Sequence, residues 1–356
     1  VILPTGGLGP TYDDLTKQTV CETFGKPLVL REDVLEHIRT YFARNVHLVM
    51  PENNRQQAEF PADCVIFDNP VGTAPGCAFE ADGVHVLMLP GPPHECETML
   101  RRCVEPYLRA LSKEVIVSHD IMTFGMGESS VDQLLHDRMV RMVNPTLATY
   151  AKPCEVRLRA TAKAAGAEEA EAMLAPVVAE VRAALGDYVY GVDVKGLEAV
   201  CFQLLKERNL TLSTAESCTG GLIAKRITDL PGASCVFRGG VVSYTNEVKA
   251  SVLGVPQETL DRYGAVSEPV ARAMAEGVRR ITGSDLSVAT TGLAGPDGDD
   301  RGNPVGTVFV ALSTPERTAV RHMNCGSGRD RVRMLASHCA FDLLRRELEH
   351  LPIEGE

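Results

Sequence analysis

Residues 213–221 constrain the fold of this chain more than any other stretch. They read S-T-A-E-S-C-T-G-G, follow the short run at 210–212, and precede the largely apolar stretch at 222–227. This order predicts a strand, a tight turn of small residues and a helix. A helix N-terminus presents free amide groups and a partial positive charge, so the turn is suited to a nucleophile, an oxyanion or a phosphate. The alternative is a turn that only caps the helix.

The bulk composition limits the classes of protein that remain. For 356 residues, two or three domains of roughly 100–200 residues each are expected. The chain carries 36 Lys and Arg against 47 Asp and Glu, which gives a net charge of −11. This balance disfavours nucleic acid and acidic membranes as partners, because such partners require a basic face. The sequence contains no stretch of about 18 apolar residues that could cross a membrane.

The eleven cysteines are scattered singly, without the paired spacing of a structural zinc site. Isolated cysteines of this kind indicate a reduced, cytoplasmic protein. The chain starts at Val1, and its first three residues already have the character of a strand end. We therefore expect that an earlier part of the first domain is missing.

The front of the chain carries a second turn that is suited to a ligand. An apolar start leads into a glycine turn, and acidic residues then open a helix that continues to about Phe24. Glycines allow the backbone to approach a ligand closely, and paired aspartates indicate a bridging divalent cation or contacts to sugar hydroxyls. The alternative is acidic capping of the helix. The residues concerned are Gly6, Gly7, Gly9, Asp13 and Asp14.

The segment G-G-L-G-P-T-Y-D-D-L-T, at residues 6–16, resembles the signature of the molybdopterin-binding-like domain at the front of the CinA (competence/damage-inducible) family. Residues 69–76 and 90–92 also resemble the family pattern. The resemblance implies metal-dependent hydrolysis of ADP-ribose or a related pyrophosphate, with a divalent metal ion at Asp14. The implied nucleotide site consists of Gly6, Gly7, Gly9, Thr11, Asp13, Asp14, Pro90 and Gly91.

A β-α-β pattern follows in the middle of the chain. Residues 155–163 alternate between apolar and charged types, and 167–185 form a strongly helical run before 188–191. This segment resembles the small KH-like connecting domain of full-length CinA proteins. An RNA-binding KH domain needs a GxxG loop, which is absent between residues 150 and 191. We therefore predict a structural or dimerising module.

Three strand ends in the C-terminal part carry small, hydroxyl or glycine residues, at 213–221, 243–246 and 290–298. Ligands of open α/β sheets bind outside the carboxyl ends of strands, so one shared site is expected. The histidines of this half lie outside the three loops, which gives a Ser-His-Asp triad little support. A lysine with a lowered pKa can activate serine instead, with a tyrosine that relays the proton.

The available set for that chemistry is Ser217, Tyr244 and Lys249. Attack by Ser217 on an amide or ester would create an oxyanion, and amide groups near residues 219–221 would stabilise it. The alternative for Lys249 is an ordinary solvated lysine on a helix.

The segments T-A-E-S-C-T-G-G, F-R-G-G-V-V-S-Y-T-N-E-V-K and T-T-G-L-A-G-P-D-G resemble the CinA C-terminal domain, in order, over about residues 197–348. The resemblance implies hydrolysis of nicotinamide mononucleotide (NMN) to nicotinate mononucleotide and ammonia. It makes Ser217 the nucleophile, has Tyr244 and Lys249 activate it, and requires no cofactor for the amidase. It also implies a homodimer. The implied substrate-binding residues are Thr219, Gly220, Gly221, Thr291, Gly292, Arg329 and Arg333, with the phosphate at an arginine of the 329–333 cluster.

The predicted architecture is α/β, with two doubly wound three-layer α/β domains joined by a small α+β connector. The expected domains are residues 1–114, 115–192 and 196–350. Small-molecule nucleotides are the expected partners, without nucleic acid or membrane. The main rival is a non-catalytic nucleotide-binding protein, against which the joint presence of Ser217, Tyr244 and Lys249 argues. A second rival, a competence factor associated with nucleic acid, conflicts with the acidic charge.

Overall fold

The computed structural model describes residues 1–46 and 49–353 of the chain. The chain divides into two compact units, Val1–Val115 and Ile116–Glu356. None of the helices in the described residues combines the length and the apolar character that a membrane span requires.

The first unit contains short helices and strands. Its helices are α1 (Thr16–Thr23), α2 (Glu32–Tyr41), α3 (Pro93–Met99) and α4 (Glu105–Leu111). Its strands are β1 (Leu28–Leu30), β2 (Glu59–Pro61), β3 (Val65–Phe67), β4 (Gly76–Ala81) and β5 (Val84–Met88). Wide helical turns lie at Phe42–Val46 and Leu100–Val104, and a tight one lies at Glu52–Ala58.

Strand pairing in the first unit is antiparallel, β1 with β2 and β4 with both β3 and β5. The apolar start of the chain joins this sheet through two isolated parallel bridges, Ile2 to Val86 and Thr5 to Leu89. The Gly6 amide then donates to the Leu89 carbonyl at 2.9 Å. The glycine turn is thereby held beside the end of β5.

The second unit begins with the connector and continues into the C-terminal part. Its helices are α5 (Glu128–Arg141), α6 (Ala167–Leu185), α7 (Leu197–Arg208), α8 (Leu222–Thr228), α9 (Asn246–Ser251), α10 (Gln257–Tyr263), α11 (Glu268–Thr282) and α12 (Arg329–Leu348). Its strands are β6 (Val115–Thr123), β7 (Thr146–Lys152), β8 (Glu155–Ala164), β9 (Val189–Val192), β10 (Leu212–Glu216), β11 (Phe237–Val242), β12 (Leu286–Gly292), β13 (Thr307–Ser313) and β14 (Thr318–Asn324).

The connector sheet has the strand order β7-β8-β6-β9. Every second residue of β8 from Val156 to Ala164 is buried, as the alternation in the sequence predicts. Helix α6 buries residues at three- and four-residue spacing, including Leu174 and Val181. A buried aliphatic side chain contributes about 1.5–3 kcal/mol, whereas an exposed ion pair contributes about 0–1 kcal/mol. Packing of α6 on the sheet therefore holds the connector together.

The C-terminal sheet has the order β11-β10-β12-β13-β14. β10 runs parallel to β11 and β12, while β13 and β14 continue the sheet antiparallel. One face packs on α7, α8 and α12, and the other packs on α11. This three-layer arrangement confirms the predicted α/β class. All residues of β10 are buried, which is typical of a central parallel strand.

A histidine in the connector links three elements. The His119 ring, on β6, lies 2.7 Å from Glu171 Oε2 on α6 and 2.6 Å from Asp193 Oδ2 after β9. The hydrogen bond with Glu171, together with that from Asp193, raises the pKa of His119 above 6.5 although burial opposes it. The protonated ring thus ties the helix to the strand that leads into the C-terminal part.

We predict that the stability of the protein depends on pH through His119. The ion pairs stabilise the folded state fully below the ordinary histidine pKa of about 6.5, and the stabilisation disappears as the pH rises through the raised folded pKa. The measurement is urea unfolding followed by circular dichroism. As the pH rises from below 6.5 through the folded-state pKa of His119, the free energy of unfolding of the wild type should fall by on the order of 1 kcal/mol more than that of His119→Gln. His136→Gln, on α5, is the matched control. Identical pH dependence in wild type and His119→Gln would contradict the prediction.

Candidate functional site

The parallel register of the C-terminal sheet brings the three predicted loops to one edge. Glu216, the last residue of β10, pairs with Val242 on β11 and with Thr290 on β12. The Ser217 amide donates to the Thr290 carbonyl at 2.9 Å, and the Ser243 amide donates to the Glu216 carbonyl at 2.8 Å. The residues that follow the three strands therefore share one neighbourhood.

Lys249 reaches Ser217 across this edge. Its side chain projects from α9 and is only 2% exposed, and Nζ donates to Ser217 Oγ at 3.1 Å and to the Ser243 carbonyl at 2.9 Å. Burial lowers the pKa of Lys249 below its usual 10.5. Lysine with a lowered pKa is a competent general base for a serine hydroxyl. The alternative of a solvated helix lysine does not describe this side chain.

Cys218 neighbours the serine but has a different chemistry. It is buried, and burial raises the pKa of its thiol to about 12. A thiol with so high a pKa stays protonated near neutral pH and is a poor nucleophile. Ser217, with the lysine beside it, is therefore the candidate nucleophile.

The N-terminus of α8 is already occupied by a side chain. Glu216 is 1% exposed, and its carboxylate accepts hydrogen bonds from the amides of Gly221 (3.0 Å), Ile223 (3.0 Å) and Ala224 (2.8 Å). The Gly220 amide donates to the Ser217 carbonyl at 3.1 Å. The expectation that the Gly220 and Gly221 amides bind an oxyanion is therefore corrected, because a buried carboxylate and the turn itself use them.

Two other amides of the turn remain as donors. Those of Cys218 and Thr219, directly after Ser217, donate to no backbone carbonyl within residues 1–46 and 49–353. Thr219 is fully buried, and its hydroxyl shares a 2.7 Å hydrogen bond with that of Thr290. The amides that the turn can offer to an oxyanion therefore lie directly after the nucleophile, and not at Gly220 and Gly221.

A cavity of about 330 Å³ lies over this edge of the sheet. Its volume is in the range of small-molecule sites. Among the residues predicted from the sequence, those that line it are Ser217, Tyr244, Lys249, Thr291, Gly292 and Arg329. Those that do not line it are Thr219, Gly220, Gly221 and Arg333.

The structure separates the two predicted arginines. Arg333 donates through Nε and Nη2 to the Thr219 carbonyl, at 3.3 and 2.9 Å, and so supports the turn from outside the cavity. Arg329 lines the cavity and donates to the Gly295 carbonyl at 3.0 Å and to Tyr244 Oη at 2.9 Å. Arg329 is therefore the arginine that can meet an anionic group of a ligand.

Tyr244 lies at the rim of the cavity and is 59% exposed. Its hydroxyl accepts from Arg329, and within the described residues it has no hydrogen bond to Ser217 or Lys249. The structure therefore places Tyr244 in contact with Arg329, whereas the sequence predicts that it acts together with Ser217 and Lys249. The Thr291 hydroxyl, inside the cavity, donates to the Ala265 carbonyl at 2.7 Å.

Sequence reasoning missed three residues of this site. Glu216 forms the helix cap, and Asn246 and Asp297 line the cavity. An acidic residue close before a helix is a recognised capping signal, so Glu216 could have been found. Asn246 and Asp297 lie in the loops at 243–246 and 290–298 that the sequence places at the site, but no motif singles them out.

The first unit has its own cavity of about 290 Å³. The predicted residues that line it are Gly7, Gly9, Asp14, Pro90 and Gly91, and unpredicted ones include Gln57 and Glu95. Gly6 packs behind this wall, since a Cβ on Gly91 would lie 3.3 Å from the Gly6 Cα. Thr11 and Asp13 do not line the cavity, and the Thr11 hydroxyl donates to Asp13 at 2.6 Å and to Asp14 at 2.5 Å.

Asp14 and Glu95 together suit a divalent cation of the magnesium type, which is bound by one or two carboxylates together with substrate phosphates. Burial raises the pKa of Asp14, but hydrogen bonds from Thr11 and Gly9 outweigh it and leave the pKa lowered. The carboxylate is therefore ionised. Among the described residues, no group of three or more His, Cys, Asp and Glu side chains forms a complete metal site.

We predict that a fluorophosphonate probe labels Ser217, because the buried lysine removes the hydroxyl proton. Labelling should rise with pH as Lys249 loses its proton, below the usual lysine pKa of 10.5. Lys249→Met should slow labelling at least about 100-fold. Mass spectrometry of the adduct gives the measurement, with Ser217→Ala as the blank and Cys218→Ala as the test of the thiol. Loss of labelling in Cys218→Ala with retention in Ser217→Ala would contradict the assignment.

Family models match three consecutive parts of the chain. These are a probable molybdopterin binding domain at residues 1–110, the damage-inducible protein CinA KH domain at 118–191 and the CinA C-terminal domain at 194–348. Among solved structures, a competence-damaged protein (CinA) superfamily protein of Klebsiella pneumoniae is 33% identical. It covers 43% of this chain and 96% of its own, with a TM-score of 0.43.

Full-length relatives match nearly the whole chain. A putative competence-damage inducible protein of Acetivibrio thermocellus is 47% identical over 346 residues, which is 97% of this chain and 84% of that protein. A CinA-like protein of Desulfovibrio desulfuricans is 48% identical over 359 residues, which is 100% of this chain and 84% of that protein. The chain belongs to the CinA family of competence/damage-inducible proteins.

Proposed function

We propose that the C-terminal part hydrolyses the carboxamide of NMN to nicotinate mononucleotide and ammonia. The observation that supports this proposal most is the 3.1 Å hydrogen bond between Lys249 Nζ and Ser217 Oγ, formed by a buried lysine whose pKa is lowered. A serine activated by a buried lysine is a nucleophile for acyl transfer. The cavity of about 330 Å³ suits one nucleotide.

The reaction proceeds in two half-reactions. Neutral Lys249 takes the proton of Ser217 as Oγ forms a bond to the carboxamide carbon, which produces a tetrahedral oxyanion. The amide of Cys218, which lines the cavity directly after the nucleophile, donates a hydrogen bond to that oxygen. The carbon–nitrogen bond then breaks, and Lys249 returns the proton to the departing ammonia. Water next attacks the acyl-serine with the same lysine as base and releases the carboxylate product.

Arg329 and Tyr244 are assigned to the substrate phosphate in this proposal. Arg329 faces the cavity, and within the described residues its guanidinium donates to two neutral acceptors, the Gly295 carbonyl and the Tyr244 hydroxyl, and to no carboxylate. A phosphate at the rim would therefore form a charge-assisted hydrogen bond with Arg329.

The test of the amidase is ammonia release from NMN by the full chain. Ser217→Ala should abolish the release, and Lys249→Ala should lower kcat by about 100- to 10,000-fold. The wild-type rate should fall as the pH drops through the lowered pKa of Lys249, because only the neutral amine accepts the serine proton. Lys206→Ala, an exposed lysine on α7, is the matched control. Equal release by wild type and Ser217→Ala would refute the proposal.

Arg329→Ala separates binding from chemistry in the same assay. Loss of one hydrogen bond to a charged group costs about 1.5–3 kcal/mol, so KM should rise roughly 10- to 150-fold while kcat changes less. The rival, a non-catalytic nucleotide-binding protein, predicts NMN binding that Arg329→Ala weakens without any ammonia from the wild type.

We also propose metal-dependent pyrophosphate hydrolysis of ADP-ribose in the first unit. The supporting observation is that Asp14 and Glu95 line one cavity whose wall includes backbone of Gly7, Gly9 and Gly91. Glycine backbone permits close approach of a phosphate, and the carboxylates would hold a divalent ion that neutralises it. The ion would supply charge stabilisation of the reacting phosphates, and the chain would bind and orient them.

AMP formation from ADP-ribose with added Mg²⁺ tests this second activity. Asp14→Ala and Glu95→Gln should each lower the rate at least about 10-fold, because each removes a carboxylate ligand. Asp63→Asn, an exposed acid of the same unit outside the cavity, is the control. The rate should vanish when the metal is chelated. A rate that Asp14→Ala and Glu95→Gln both leave unchanged would exclude this site.

A further inference from the structure

A third cavity, of about 500 Å³, lies inside the second unit between the connector and the C-terminal sheet. Its connector side is formed by the start of α5 and the turn between β7 and β8, and its other side by β14 and α12. It shares no lining residue with the cavity over Ser217. Neither proposed activity uses it.

The walls of this cavity carry an excess of cationic side chains. Its lining includes the cations Lys152, Arg321, Arg331 and Arg346 and the carboxylates Glu128, Glu155 and Asp342. Asp342 is buried and is shared among three arginines, at 3.0 Å from Arg321, 2.9 Å from Arg345 and 3.0 Å from Arg346. Arg345 has a second carboxylate, Glu349, at 2.8 Å, so Asp342 is left to balance both Arg321 and Arg346, which a single negative charge cannot do.

The remaining carboxylates do not remove the excess. The Glu155 carboxylate accepts a hydrogen bond from the Tyr190 hydroxyl at 2.8 Å and lies 3.3 Å from His338 Nε2. Its contacts are therefore with these two side chains and not with the arginines that line the cavity. Glu128 is exposed at the start of α5. The cavity therefore retains positive charge that the chain itself leaves uncompensated.

Spare donors point to the same conclusion. Arg321 Nε is buried and has no hydrogen-bond partner within the described part of the chain. Across residues 1–46 and 49–353, Arg331 donates only through Nε, at 3.4 Å to the Cys325 carbonyl, which leaves its terminal nitrogens available. A buried donor without an acceptor is destabilising, more so when it is charged, and an anion in the cavity would supply the missing acceptor.

We propose that this cavity is a second ligand site, which binds a nucleoside monophosphate or a similar phosphorylated ring compound. Arg321, Arg331 and Lys152 meet the phosphate. Phe124 and Tyr188, which line the same cavity, contact the ring. A volume of about 500 Å³ accommodates such a molecule, and the combination of apolar walls with a few convergent charges is typical of small-molecule sites.

Two lining methionines give a direct readout of the site. Met126 and Met323 line this cavity, and no methionine lines the cavity over Ser217 or the one at Asp14. In the full chain labelled with ¹³C-methyl methionine, AMP should shift the resonances of both, identified through Met126→Leu and Met323→Leu. Inorganic phosphate should shift them more weakly, and adenosine should not. Met173, on α6, is the internal reference.

Charge-neutralising variants test the assigned contacts. Lys152→Ala combined with Arg331→Ala should weaken the AMP-dependent shifts at least about tenfold in Kd, because charge-assisted hydrogen bonds are lost. Both side chains are exposed, and Arg182→Ala, an exposed arginine of the same unit, is the matched control. Unshifted Met126 and Met323 at millimolar AMP would overturn the proposal. So would equal effects of phosphate and AMP, or shifts that the double variant leaves unchanged.

Discussion

The buried carboxylate of Glu216 is the interaction on which the C-terminal site depends. It accepts hydrogen bonds from three amides at the start of α8, at 2.8–3.0 Å, and its own carbonyl accepts from Ser243. Side chain and backbone of one residue therefore fix the helix that follows the nucleophile and the strand end beside it. Hydrogen bonds to a charged group contribute about 1.5–3 kcal/mol each, far more than an exposed ion pair. The turn at Ser217 is rigid for this reason.

This rigid turn explains why a lysine can be buried beside it. Lys249 loses most of its hydration at 2% exposure, and among the residues that the structure describes its Nζ donates only to the Ser217 hydroxyl and the Ser243 carbonyl. Burial without a carboxylate partner favours the neutral amine, which is the form that accepts a proton. Cationic side chains also outnumber their carboxylate partners at the cavity beside the connector, where Asp342 forms ion pairs with three arginines. Beside Ser217, a lysine with a lowered pKa marks a candidate functional site. At the cavity beside the connector, two arginines that share one carboxylate next to open space indicate an anionic ligand.

The periodic elements were predictable from the sequence, and the side-chain directions were not. The alternation in β8 and the helical spacing in α6 appear in the structure as one buried face each. Hydrophobic spacing locates a helix better than it locates its end, and α2 accordingly ends at Tyr41 where the chain continues as the wide turn Phe42–Val46. At the site, Ser217 and Lys249 meet as expected, but Arg333 turns to the Thr219 carbonyl and Tyr244 turns to Arg329.

The sequence by itself determined the order of strand, turn and helix, the three loops at the carboxyl ends of strands, and the family to which the chain belongs. These depend on local propensity, hydrophobic period and short motifs, which are written in consecutive residues. Only the tertiary structure decided which amides of the turn remain free, which arginine faces the cavity, and where positive charge is left without a partner. These depend on contacts between residues far apart in the chain, such as Arg333 with Thr219 and Arg321 with Asp342, which packing alone selects.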